Sequence, residues 1–225
     1  MNKIKLMYDV AKTMKEKEVF IGSLEIGGQK DQIEFFSLNN EFEKNLLSGQ
    51  VKFKIKTALD LDGKQVKHES SSELTLQNCC GGKHRHLRKH FHHHCDDGDT
   101  NCCCTGLKGK LSALMYLLRL IDDLKIEELE NKALALSLNI DEIPEELMNH
   151  MHGNFQCCMS DEEPQGHHQC MKDLMTMEKP NITFNMRLNE DRAVERIFIT
   201  IKGKQKDQWD NFHEISLKAE LNLKW

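Results

Sequence analysis

Nineteen side chains suited to soft or borderline metal ions gather in two stretches of this chain. The first holds Cys79, Cys80, His84, His86, His90, His92, His93, His94, Cys95, Cys102, Cys103 and Cys104. The second holds His150, His152, Cys157, Cys158, His167, His168 and Cys170. Between them they take all nine cysteines and ten of the twelve histidines of the 225-residue sequence. Imidazole and thiolate together suit zinc, nickel, cobalt or copper, and the thiolates favour Cu(I) or zinc among these.

The spacing in the first stretch is compatible with chelation. If Leu87–His94 is helical, His86, His90 and either His93 or His94 share one face, the arrangement that lets two imidazoles grip one ion. Gly81-Gly82 and Gly98 would let thiolates at either end fold back towards that face. Around the second stretch lie Met148, Met151, Met159, Met171, Met175 and Met177, six of the chain's eleven methionines. Thioether sulfur binds Cu(I) and adds little to a zinc site, which tilts the expectation towards copper. Methionines at helical spacing also fill cores, so the second stretch has a simpler competing reading.

Neither stretch contains a Cys-x-x-Cys knuckle, and His-Glu-x-x-His is absent. Such enrichment therefore signals metal affinity rather than one closed stoichiometric site, and several exchangeable ions suit buffering or delivery better than catalysis. A polar loop with incidental histidines is the plain alternative; it requires the whole concentration to be chance. No catalytic signature stands out. Nine thiols and many imidazoles single out no nucleophile and base, and Gly27-Gly28 and Gly106–Lys110 lack the spacing of a phosphate loop or a dinucleotide fingerprint. The remaining histidines, His68 and His213, read as surface or satisfied strand residues.

Charge and composition narrow the partners. Thirty-one basic and 36 acidic residues are mixed along the chain for a net charge of −5, which argues against nucleic acid. Lys83, Arg85, Arg88 and Lys89 are nearly offset by Asp96, Asp97 and Asp99. Asp9 and Lys12 interrupt the N-terminal apolar residues before a signal-peptide core can form, and no apolar run is long enough to span a bilayer. The expected location is the cytoplasm, where thiols stay reduced and metal binding explains cysteines better than a disulfide framework does.

The elements that must carry these stretches follow from periodicity. Ile4, Met7, Tyr8, Ala11 and Met14 predict an N-terminal helix over Ile4–Lys15. Alternation then predicts strands at Val19–Ile26, Ile33–Leu38, Val51–Leu61 and Val66–Leu76, joined by Gly27-Gly28, by a polar segment over Asn39–Gly49, and by Asp62-Gly63. Leu107–Leu124 predicts a helix with a buried face. A hairpin across Asn131-Lys132, a helix over Pro144–His152, and strands at Ile182–Leu188, Ala193–Ile201 and His213–Leu223 complete the chain.

The fold class expected is α+β: a curved antiparallel β-sheet of about eight or nine strands, with an N-terminal helix and central helices packed on one face. A single domain over residues 1–225 carries His/Cys-rich metal-binding insertions at 79–104 and 148–177. A helix, a long meander and helices across it resemble, in element order, the lipoprotein-carrier (LolA-like) half-barrel. That resemblance implies a concave face able to hold an acyl chain.

The function expected is that of a cytosolic transition-metal-binding protein that sequesters, stores or delivers zinc or Cu(I), with nickel also suited. One alternative is a half-barrel module for a lipid or other apolar ligand with a metal-dependent lid, which predicts an apolar pocket beneath Leu107–Leu124. Another is a structural or assembly protein crosslinked through cysteines.

Overall fold

Nine antiparallel strands form one open sheet in the order β4-β3-β2-β1-β9-β8-β7-β6-β5. The computed structural model describes residues 2–61, 63–75, 107–141, 177–206 and 211–225. Helix α1 (Lys3–Glu16) leads into β1 (Val19–Lys30), β2 (Ile33–Asn45), β3 (Gln50–Leu61) and β4 (Lys64–Thr75). Helix α2 (Leu107–Asp123) precedes β5 (Lys125–Glu128) and β6 (Leu134–Ile140), and β7 (Glu178–Leu188), β8 (Val194–Lys206) and β9 (Phe212–Lys224) close the chain. β9 returns to pair with β1, so two meanders join at the centre of the sheet.

Alternation along each strand gives the sheet two chemically different faces. One cross-strand row runs His68, Thr57, Leu38, Ile26, Ala219, Ile199, Phe184, Leu138. The adjacent row, on the other face, runs Glu69, Lys56, Asn39, Glu25, Glu220, Phe198, Asn185, Ser137.

The core lies on the apolar face at one side of the sheet. Leu6 and Val10 of α1 and Leu124 at the end of α2 pack on Leu134, Leu136, Met186, Leu188 and Val194. Asn2 caps α1 by accepting from the Lys5 backbone N–H at 3.0 Å. In β2, β3 and β4 no described side chain reaches full burial.

The helix at Leu107–Asp123 forms where its apolar spacing predicts, but Leu114, Met115, Leu117 and Leu118 of the expected buried face are 44–65% exposed, whereas Leu124 just past its end is buried. Periodicity reports which residues share a stripe, not what covers it.

Two connections also differ from expectation. Gly27-Gly28 lies within β1, where the register with β2 shifts between Gly28 and Gln29. A Cβ at Gly28 would stand 2.7 Å from the Phe35 ring, so glycine serves close packing there rather than a turn. The turn falls at Asp31 and Gln32, with φ of 50° and 70°. Tertiary contacts hold it: the Glu214 backbone N–H donates to Asp31 Oδ1 at 2.9 Å. Asn39–Asn45 is strand, not linker, because it pairs in register with β3, where Glu41 and Glu43 stand opposite Lys54 and Lys52. The true turn follows, where Asn45 Oδ1 accepts from the backbone of Leu47 and Ser48 and Gly49 has φ 69°.

The Asp62-Gly63 hairpin matches expectation: Leu61 pairs with Lys64, and Gly63 has φ 81°. Asn131 and Lys132, with φ of 58° and 60°, turn β5 into β6. The helix expected at Pro144–His152 lies outside the described residues.

Candidate functional site

All nineteen expected ligands lie outside the described residues, so the structure fixes only the residues that bracket them. Thr75, before the first stretch, pairs with Gln50 at one end of β4. Leu107, after it, begins α2. The second stretch is bracketed by Asp141, hydrogen-bonded to the Asn181 side chain, and by Met177. Met177 is buried against Gly203, where an added Cβ would meet its sulfur at 2.9 Å. One of the six thioethers that suggested copper is therefore a packing residue.

The two exit points lie far apart. Ile140 belongs to a cross-strand row that reaches β4 at Val66, while the first stretch leaves β4 from Thr75. That separates Thr75 from the Asp141 exit by roughly 30 Å along the strands, and by a similar distance across the sheet, at ordinary strand spacing. Among the described residues no group of three or more His, Cys, Asp or Glu side chains is placed to hold a metal ion.

Of the two strand histidines, one meets a carboxylate and the other is exposed. His213 Nδ1 sits 2.6 Å from Asp31 Oδ2, and this contact with the Glu214 N–H holds the Asp31 carboxyl below the usual carboxylate range. His68 lies exposed in β4, opposite Thr57.

A groove of about 650 Å³ occupies the polar face, opposite α1. Glu25, Lys56, Lys67, Glu69, Lys218 and Glu220 line it, with Phe198 on its floor. Two of its carboxylates, Glu69 and Glu220, have cationic partners. Lys54 and Lys56 each stand 3.4 Å from Glu69 and lower the pKa of that carboxyl. Glu25 and Glu220 face each other directly across β1 and β9, an unfavourable like-charge pair. The strain is relieved on one side: Arg196 Nη2 approaches Glu220 Oε2 at 2.8 Å, and Asn222 donates to Oε1 at 2.8 Å. Arg196 chiefly, then Asn222, hold the Glu220 carboxyl below its ordinary pKa.

A depressed carboxylate stabilises the fold above its unfolded pKa and loses that contribution as pH falls through the folded value. Arg196→Gln is thus expected to raise the Glu220 pKa towards the ordinary Glu range and to flatten the loss of stability in acid. Carboxyl chemical shifts followed by NMR, with denaturation midpoints across the acid range, check both.

Sequence reading passes over this groove because isolated Lys and Glu at every second position look like a solvated strand face. Only the register reveals which of them converge. The groove offers paired charges and one aromatic side chain, whereas the lipid reading expects its apolar pocket beneath α2, on the face that carries the core.

No family model matches this chain, and no curated protein matches it. Among solved structures, a bifunctional dehydratase-cyclase domain in ambruticin biosynthesis aligns over 99% of this chain and 81% of its own, at 8% identity and a TM-score of 0.16. An N-terminal dehydratase from the difficidin assembly line aligns over 97% of this chain and 81% of its own, at 10% identity and a TM-score of 0.16. At those scores neither likeness bears on fold or function. No helix among the described residues is long and apolar enough to cross a membrane.

Proposed function

We propose that this chain is a cytosolic transition-metal-binding protein in which the antiparallel sheet is the scaffold and residues 79–104 and 148–177 carry the ligands. It sequesters, stores or hands on zinc or Cu(I), and nickel suits the same donors. One observation carries the reading: of 21 histidines and cysteines, nineteen fall in those two stretches and only His68 and His213 fall elsewhere.

Binding uses neutral imidazole and thiolate, so affinity falls as pH drops through the His range, and loading releases protons. Titration of reduced protein with zinc, nickel and Cu(I), with proton release followed in weak buffer, is expected to give at least micromolar affinity for one of the three. Weaker binding of all three would sink the proposal.

A second reading has support from the exposed Leu114, Met115, Leu117 and Leu118 of α2 and from the apolar face of β2 and β3, which no described helix fully buries. On it the sheet is the half-barrel of a lipid or apolar-ligand carrier and the His/Cys stretches form a metal-dependent lid. Deleting 79–104 separates the two: metal binding collapses under the first, and apolar-ligand retention survives under the second.

A further inference from the structure

The two edges of the sheet are unequal. β5 ends one side with four residues, whereas β4 ends the other with twelve, paired to β3 at twelve successive positions without a register shift. β4 contains no proline. Its side chains are mostly exposed, including Val66 at 59% and Leu74 at 49%. Among the described residues no strand pairs with the outer side of β4, and a long, regular edge of this kind is a template for another strand.

We propose that β4 is a dimerisation edge, along which two copies of the chain pair antiparallel about a two-fold axis normal to the sheet at Ser70. The sequence of the strand selects this register. Directly opposed residues must share a face, so only every second register keeps the apolar faces continuous across the pair. Centring on Ser70 sets Val66 against Leu74 and Lys67 against Glu73, and symmetry makes each pairing twice.

Neighbouring registers do worse. Centring on Ser71 sets Glu69 against Glu73, a like-charge pair. Centring on Glu69 sets Val66 against Ser72 and Lys67 against Ser71, which matches neither apolar nor charged groups. Centring on His68 joins Lys67 to Glu69 but leaves Leu74 unmatched and shortens the ladder.

The charges are available for this contact. Lys67 makes no ion pair among the described residues. Glu73 already meets Lys52 Nζ at 3.7 Å and Gln50 Nε2 at 2.7 Å, both through Oε1, which leaves Oε2 as the acceptor for the second copy's lysine. Among the described strands the outer ends then carry β5 and the Leu138–Ile140 end of β6, and a two-fold contact occupies the β4 edge of both copies, so this pairing closes at two.

The inference is independent of metal binding. Sedimentation velocity on the full chain, with reductant and chelator present so that neither disulfides nor bridging ions join copies, is expected to show a monomer–dimer equilibrium in the micromolar range. Lys67→Glu opposes two carboxylates twice and is expected to weaken the dimer by about tenfold or more. Glu73→Lys alone weakens it too, and the double variant Lys67→Glu/Glu73→Lys is expected to associate more tightly than either single variant. Val66→Lys and Leu74→Lys, at exposed edge positions, are expected to give folded monomer by circular dichroism. A wild-type chain that stays monomeric, one that grows beyond the dimer, or a double variant no tighter than the singles overturns the proposal.

Discussion

Replacing the six histidines and six cysteines of residues 79–104 with alanine and serine is expected to remove about two thirds of the bound zinc or Cu(I), in line with their twelve of nineteen ligands. The tightest sites should go with them, since this stretch alone combines a dense imidazole run with thiolates at both ends. Far-UV circular dichroism and thermal stability without metal should stay close to wild type. The reason is structural: the buried cluster of Leu6, Val10, Leu124, Leu134, Leu136, Met186, Leu188 and Val194 is built from elements on either side of that stretch. The matching substitution of the seven ligands in 150–170 is expected to remove the smaller share. Stoichiometry from competition titrations against a chromophoric chelator reads both variants. Equal losses from the two would contradict the ranking of the arms.

Leu188→Ala is expected to cost about 2–5 kcal/mol, the range for truncating a fully buried leucine, and Leu136→Ala a similar amount. Both side chains are at or below 1% exposure. They sit on neighbouring strands beneath Leu6 and Val10 of α1, where the small buried cluster is the principal described core. A cavity there weakens the docking of α1 as well as the sheet. Ile55→Ala, on the half-buried stretch of β3, should cost less than half as much, because the site is already partly open to water. Urea denaturation of the three variants beside wild type orders them. An Ile55→Ala loss equal to that of Leu188→Ala would show that the β2–β4 half has a core the described burial does not reveal.

How far the sequence reaches depends on whether a feature is local. The N-terminal helix and most strands are legible from their apolar period, and along Leu134–Ile140 period and burial coincide, but α1 buries Leu6 and Val10 while Ile4, Tyr8 and Ala11 of the expected stripe are exposed. Asp62-Gly63 is legible because glycine at positive φ is its own local signal. The Asp31-Gln32 turn is not. Its left-handed backbone is held by contacts to His213 and Glu214, nearly two hundred residues away, which no local pattern encodes. The same limit explains why Gly27-Gly28 looks like a joint: a glycine needed beside Phe35 and Leu217 has the same letter as one needed in a turn.

Nor does the sequence order the strands. The return of β9 to β1 creates the Glu25–Glu220 pair and the groove around it, and both are invisible until register is known. The His/Cys enrichment is the opposite case. It is fully legible as composition, and the described residues add to it only the exits at Thr75 and Asp141 and the packing role of Met177.

Elemental analysis of reduced, untagged protein, loaded with zinc or Cu(I) and then dialysed exhaustively, tests the central claim most directly when run beside the twelve-substituted variant. Metal binding through the two arms predicts at least one retained ion per wild-type chain and a content well below that in the variant. A wild-type content no higher than that of the dialysis buffer, or equal to that of the variant, would contradict it.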